Sequence, residues 1–219
     1  MPNALNAARA EKITPRWPSR ADSRARFEKL MEAVGGLLAT FGPSEITIQM
    51  IADAAKMPSA TVYHFFPSAE AALVAQARLY TEEFESLVSQ GVPAAERTSW
   101  QYAWTRGSQR GRELYTSDVA RMRLLLGADV PRDVQMVDSE FNIRLGRIIA
   151  DQFERETYLA PAPGLAEAFT NAIEINDTFW RMSFQRAGTI TDAYFDEGLR
   201  AVIAYLGTYL PEHLEYRPT

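Results

Sequence analysis

The sequence has no cysteine, so disulfides, thiolate metal sites and cysteine nucleophiles are excluded. It has only two histidines, His64 and His213, far apart in the chain. No HExxH, GxSxG or GxGxxG pattern occurs, and no phosphate-binding glycine loop. The chain is therefore expected not to be an enzyme and to hold no cofactor and no metal. No stretch reaches eighteen consecutive apolar residues, and the N-terminus has no continuous apolar segment. The expectation is a chain without a membrane span or secretory leader, located in the cytoplasm. Repeats, low-complexity tracts and charge blocks are also absent.

The 219 residues are 47% hydrophobic, enough for a sizeable globular core. The net charge of −5 argues against a wholly basic nucleic-acid binder, but it is spread unevenly. Residues 1–68 carry eight Lys or Arg against six acids, a net +2. The rest carries fifteen basic against twenty-two acidic residues, a net −7. A mildly basic head on an acidic body suits a protein that touches DNA at one end.

Thr47 to Phe66, TIQMIADAAKMPSATVYHFF, reads as two short helices around a tight turn. Thr47 is placed to cap the first, in which Ile48, Ile51, Ala52 and Ala55 fall at helical spacing. Lys56 and Met57 form the turn. Pro58 suits a first helical position and biases Met57 away from α geometry. Ser59 to Phe66 then make two turns, with Val62 and Phe66 expected in the core; Pro67 stops them, and Ser68 caps the next helix. This is the pattern of a helix-turn-helix reader, although an ordinary helical hairpin has the same periodicity.

Thr47, Ile51-Ala52, Ala54-Ala55, Ala60-Thr61-Val62-Tyr63, Phe66-Pro67-Ser68, Glu70 and Leu73 resemble the N-terminal signature of TetR-family transcriptional regulators, over about fifty residues from Phe27 to Leu73. Two positions depart from it. Lys56 stands where the family usually has a turn glycine, and Ala69 where it usually has a phosphate-contacting lysine. The resemblance implies that Tyr63 hydrogen-bonds a phosphate. His64 reads either as a groove contact or as a solvated histidine, and Arg24 as a phosphate contact or a surface arginine. The expected DNA-facing set is Arg24, Thr47, Lys56, Ser59, Ala60, Thr61, Tyr63 and His64.

Residues 1–21, rich in Ala, Arg and Pro, read as a flexible arm, either disordered or lying along DNA. Phe27, Leu30, Met31, Val34, Leu37, Leu38 and Phe41 mark an amphipathic helix ended by Gly42-Pro43. A long helix is expected from Ser68 to Val88, broken at Gly91-Val92-Pro93. Thr98-Ser99-Trp100-Gln101 reads as a capping box opening a helix to about Leu114. A short helix follows over Ser117–Gly127, and Pro131 opens another through Phe153. After the loop Ala160–Gly164, two last helices run over about Leu165–Arg186 and Thr191–Leu210. The final one has a second apolar face at Tyr194, Gly198, Ala201 and Tyr205, which is expected to meet a copy of itself.

The fold class is thus all-α: a flexible arm (1–21), a three-helix helix-turn-helix domain (22–68) and a larger helical domain for ligand binding and dimerisation (69–219). The resemblance implies an effector cavity among the central helices. Its expected lining is Trp100, Trp104, Met122, Phe141, Phe169 and Asn176, with Arg123 and Arg144 as further polar groups on apolar helices. Asn176-Asp177-Thr178 matches a glycosylation sequon by chance, lying inside a helix. The functional expectation is a ligand-responsive homodimeric regulator, a repressor that leaves a double-stranded operator on binding a small apolar or aromatic effector. The alternative is a helical small-molecule-binding or interaction protein that has lost DNA binding.

Overall fold

The computed structural model describes residues 13–93, 96–159 and 163–218. Ordered elements among them are α1 (Ala21–Leu38), a 3-10 turn (Pro43–Glu45), α2 (Ile48–Ala55), α3 (Ser59–Phe65), α4 (Ala69–Ser89), α5 (Trp100–Thr116), α6 (Val119–Leu126), α7 (Arg132–Glu156), α8 (Leu165–Ala187) and α9 (Asp192–Leu206). The described residues contain no strand, only an isolated bridge between Thr157 and Tyr216. No described helix is long and apolar enough to cross a membrane.

The helices fall into two compact units. The first comprises the chain to Tyr80 with Asp118–Asp138; the second comprises Thr81–Ser117 and the chain from Ser139. This differs from a division at residue 68, because α6 packs on α1 and so joins the N-terminal unit. The chain passes between units inside α4, between α5 and α6, and inside α7.

In the first unit, Phe27, Leu30, Met31, Val34 and Leu38 of α1 are buried together with Ile51, Ala52 and Ala55 of α2 and Val62 and Phe65 of α3. The Phe27 ring meets Phe65 at 5.7 Å and Phe66 at 5.4 Å. The turn between α2 and α3 is closed by backbone bonds in the Schellman pattern: Met57 N donates to the Ala52 carbonyl (2.9 Å) and Lys56 N to that of Asp53 (3.1 Å). This pattern requires a left-handed residue, and Lys56 supplies it at φ 53°, ψ 47°. It is the one non-glycine with positive φ among the described residues. Pro58 sits one position earlier than expected. It is the N-cap, with φ −58° and ψ 140°, and its carbonyl accepts from Thr61 N (2.8 Å).

The end of α1 is tied to the segment around α6. Arg123 donates to the Leu38 carbonyl, one of the carbonyls a helix C-terminus leaves without an intrahelical partner. Asp129 accepts from Ser44 Oγ (2.8 Å) and from Ser44 N (3.4 Å). Arg123 is therefore a structural cap. The stretch before Ala21 is also packed where it is described: Arg16 N donates to the Phe65 carbonyl (2.8 Å), and the Trp17 ring lies 5.1 Å from Phe27. The arm before residue 13 lies outside the described residues.

In the second unit, α8 and α9 pair closely and α5 packs on α9. Trp100, Trp104, Leu165, Phe169, Val202, Leu206 and Leu210 form its core. The N-cap of α5 is Ser99, which accepts from Tyr102 N (3.1 Å). The expected box with Thr98 is thus one residue out, and Gln101 instead donates to the Glu212 carbonyl (3.0 Å). Beside it the Trp100 indole donates to the Pro211 carbonyl (2.8 Å), so the C-terminal segment lies against the start of α5. Of the expected 160–164 loop, residues 160–162 lie outside the described residues; Gly164 holds φ 87° ahead of α8.

Two mid-helix glycines have opposite surroundings. At Gly146, on α7, a Cβ would meet Thr170 Oγ1 at 2.2 Å and the Ala166 carbonyl oxygen at 2.6 Å. At Gly107, on α5, it would meet nothing within 4 Å. Gly146→Ala is therefore expected to destabilise by about 1–3 kcal/mol through overpacking against α8. Gly107→Ala should stabilise by roughly 0.5–1 kcal/mol, since a helical glycine loses extra chain entropy on folding. Urea unfolding of both variants checks the pair. By the same method Lys56→Gly should stabilise by about 1 kcal/mol, because glycine holds the left-handed position without the Cβ clash.

Candidate functional site

The first candidate site is the outer side of the helix-turn-helix. Thr47 caps α2 as expected, its Oγ1 accepting from Met50 N (3.2 Å). Val62 and Phe65 anchor α3 in the core. On the rest of α3, Ala60, Tyr63 and His64 are exposed and Ser59 and Thr61 half-buried. Tyr63 is 53% exposed, which separates it from the core aromatics beside it and leaves its hydroxyl in solvent. His64 is also solvated; its backbone carbonyl accepts from the Arg16 guanidinium (3.4 Å). Arg24 and Lys56 are exposed, and Ser68 Oγ accepts from Ala71 N (3.1 Å), capping α4 where Ala69 begins it.

The sequence reading did not single out Gln49 or Asp53. Gln49 Nε2 donates to Asp53 Oδ1 (2.8 Å), while its Oε1 accepts from Ser59 Oγ (3.1 Å). This chain ties the first turn of α3 to α2, adding to the backbone turn. The signal was present as i, i+4 polar partners on α2, but the third member lies ten residues on, across the turn.

The second site is a cavity of about 150 Å³ within the second unit. It is walled by α5 and α8, by residues of α4 from Phe84 on, and by residues of α7 from Phe141 on. Phe84, Trp104, Tyr115, Phe141, Phe153 and Trp180 supply aromatic walls. The Tyr115 ring packs 4.5 Å from Phe84 and 5.5 Å, edge-on, from Trp180. Gly107 and Gly111, one turn apart on α5, also line it; a Cβ at Gly111 would lie 3.4 Å from Trp180.

Six polar side chains border this apolar space: Ser108 and Arg110 of α5, Asn142 and Gln152 of α7, and Asn176 and Asp177 of α8. Asn176 Nδ2 donates to Ser108 Oγ of α5 (3.2 Å). Next to it, Asp177 accepts from Asn142 Nδ2 of α7 (3.1 Å), which also donates to Glu174 (3.0 Å). Asn142 is 1% exposed. Adjacent helix residues point about 100° apart, so Asn176 and Asp177 serve two different neighbouring helices. As Asn176 is itself only 6% exposed, the sequon there is closed to any modifying enzyme.

Of the expected lining, Trp104, Phe141 and Asn176 border the cavity. Trp100, Phe169 and Met122 do not. Trp100 is buried with its N–H on Pro211. Phe169, fully buried, stacks behind Trp104 at 5.9 Å and backs the wall. Met122 is buried on α6, in the other unit. Helical spacing gave each an inward face without saying which interior it faces. Arg144 pairs with Glu85 (3.4 Å) outside the lining.

The expected dimer face is also revised at one position. Gly198 is buried, and a Cβ there would meet Phe179 Cβ at 3.0 Å, so this glycine serves the close approach of α9 to α8. Tyr194, Ala201 and Tyr205 remain half-exposed. The Tyr194 hydroxyl contacts the Arg186 guanidinium, and that of Tyr205 accepts from Asn171 Nδ2 (3.0 Å), so both tyrosines lean toward α8.

No model of a known protein family matches the sequence, and no curated protein matches it. Solved structures do match in fold. A TetR-family transcriptional regulator from Streptomyces coelicolor aligns with a TM-score of 0.65 at 22% identity, over 86% of this chain and 99% of that one. The flavonoid-responsive regulator FrrA aligns at 0.56 and 18% identity, over 86% and 98%. A TetR transcriptional regulator from Rhodococcus sp. RHA1 aligns at 0.51 and 21%, over 84% and 96%. At such identities the likeness is one of architecture, and it covers nearly all of each chain: the protein has the all-helical fold of TetR-family transcriptional regulators.

Proposed function

We propose that the protein is a ligand-responsive, sequence-specific DNA-binding transcriptional regulator. It would act as a homodimer on a double-stranded operator and be released from it by a small apolar or aromatic effector. The observation that carries this reading is the division of α3. Its apolar residues are buried, while Ala60, Tyr63 and His64 stand exposed on a helix locked to α2. A rigid short helix with an uncommitted polar side is what a major groove accepts. The separate aromatic-walled cavity supports the effector half of the reading. The fold neighbour described as flavonoid-responsive fits an aromatic effector.

In such a dimer the two reading helices must lie roughly 34–36 Å apart to enter successive major grooves. An effector that binds one arrangement of the second unit more tightly would shift that spacing and so release DNA. Repression is the expected sense. A mobility-shift assay with DNA flanking the protein's own gene tests the DNA half directly. Absence of any shifted species at micromolar protein would favour a helical ligand-binding protein without DNA function.

Two further outcomes follow from the placement of residues. Tyr63→Phe keeps the ring and removes the exposed hydroxyl. It should weaken binding across sequences by about 1.5–3 kcal/mol if that hydroxyl meets a phosphate. Ala69→Lys adds a cation at the start of α4 and should steepen the salt dependence by about one counterion per subunit without changing the preferred sequence. Affinity against salt concentration, on operator and random DNA, measures both; unchanged values for the pair would mean that this side of α3 does not face DNA. For the dimer, Ala201 on the half-exposed side of α9 is the probe. Ala201→Arg should bury an unpaired charge between subunits and give monomers in sedimentation. A variant as dimeric as wild type would move the interface elsewhere.

A further inference from the structure

The residues that line the cavity are not equally enclosed. Phe84, Trp104, Tyr115, Phe141 and Trp180 are buried, and their rings close the space at depth. Gly91, Val92, Arg110 and Gln152 are only half-buried, and Gly107 is exposed. The cavity therefore meets solvent between the exit of α4, the middle of α5 and the last turns of α7. Two of these rim groups fasten the exit of α4. Arg110 donates to the Gly91 carbonyl (3.4 Å) and Gln152 to that of Val88 (2.9 Å).

The α7 side of this rim is held by a segment distant in the chain. Beyond α9, residues 211–217 run over both the start of α5 and the end of α7. The Trp100 indole donates to the Pro211 carbonyl (2.8 Å) and Gln101 to that of Glu212 (3.0 Å). Farther on, Tyr158 N donates to the Glu215 carbonyl (3.0 Å) and Arg217 N to that of Glu156 (2.7 Å). Arg217 Nε also donates to the Thr157 carbonyl (2.6 Å), with its guanidinium 5.1 Å from the centre of the Tyr158 ring. Each attachment lies one helical turn from the cavity lining. Trp104 follows Trp100 on α5, and the Phe153 carbonyl accepts from Thr157 N (3.0 Å) and Oγ1 (2.7 Å). Arg97 joins the remaining side of the rim to the same place: it donates to the Val92 carbonyl (2.7 Å) and pairs with Glu156 (3.0 Å).

This attachment is of a kind that opens by itself. Within residues 211–217, Leu214 and Tyr216 are half-buried and the others are exposed. A segment held by backbone bonds near solvent, with little apolar burial, opens locally at much less cost than the whole fold. We propose that residues 211–217 are a strap on the mouth of the cavity. Closed, the strap holds the end of α7 to the start of α5. Its local opening frees the rim at Gln152 and Phe153 and widens the way in, so strap opening limits how fast a molecule enters and leaves. This rests on reading the cavity as a ligand site and adds the step that controls access to it.

A reversible lock tests the strap. Thr157 and Tyr216 face each other as an antiparallel bridge whose hydrogen bonds are made by their neighbours. In such a pair the Cα atoms lie about 4.5 Å apart, within the roughly 4.4–6.8 Å that a disulfide spans. The chain has no cysteine of its own, so the double variant Thr157→Cys, Tyr216→Cys is locked by oxidation and released by reduction in one sample. The probe is fluorobenzene, close in size to the benzene that cavities of about 150 Å³ take up. Fluorine NMR on the full chain measures its exchange between free and bound forms. The oxidised variant should release the probe about tenfold or more slowly than the reduced one, as expected where a lid limits exchange. Arg217→Ala removes one strap hydrogen bond and the ring contact, and should release it about two- to tenfold faster than wild type. Equal rates in the oxidised and reduced forms, or in Arg217→Ala and wild type, would overturn the strap and leave the cavity standing as a ligand site. Absence of any bound fluorobenzene would overturn the ligand site, and the strap's role with it.

Discussion

A helix of seven residues does not persist alone in water, because the cost of nucleation is not recovered over so few hydrogen bonds. Helix α3 is of that length, and the packing of the first unit compensates for it. Val62 and Phe65 fasten it to the interior, where Phe27 of α1 meets the rings of Phe65 and Phe66. Fully burying one such ring contributes about 1.5–3 kcal/mol. The two bonds across the turn at Lys56 and the Gln49–Ser59 contact fix its direction as well as its existence. With its apolar side committed in this way, the other side of α3, with Ala60, Tyr63 and His64, is left in solvent.

The second unit depends on a different economy of space. Its aromatic side chains are too large to interlock completely, and the residual volume lies among them rather than at the surface. Glycine is used where helices must touch: Gly146 brings α7 onto Thr170 and Gly198 brings α9 onto Phe179. Close approach there coexists with open space between α5 and α8, so the cavity is not a consequence of loose packing throughout. The polar step at Asn176 and Asp177 spans that space, joined to α5 through Ser108 and to α7 through Asn142. Each of those bonds ties α8 to a cavity wall, so an occupant that altered one would be felt by a neighbouring helix.

Much of this was legible in the chain. The order of the helices, the Thr47 and Ser68 caps, and the turn at Lys56 follow from local rules about caps, proline and apolar spacing. Those rules act over a few residues and are printed in the sequence. What they could not give was the interior to which each apolar residue belongs. Trp100 and Trp104 lie one turn apart on α5, yet one seals the core against Pro211 and the other borders the cavity. Met122 and Arg123 looked like members of the ligand site, but α6 packs on α1 and takes them to the other unit. Gly198 looked like a place for a second subunit and instead accommodates Phe179.

The sequence by itself therefore determined that the protein is all-helical, that it carries a helix-turn-helix near its N-terminus, and that it lacks the groups for thiol and common motif-based catalysis. Those properties depend on residue type and on spacings within one or two turns. Tertiary structure alone decided which aromatic residues enclose a void, which polar side chains link α8 to α5 and α7 beside it, and which face of α9 is already occupied by α8. These depend on contacts between different helices and segments, such as Gly198 with Phe179, Asn142 with Asp177, Asn176 with Ser108 and Trp100 with Pro211. No periodicity records such pairs, because one apolar face has the same pattern whether it meets a neighbouring helix, a cavity or a second subunit.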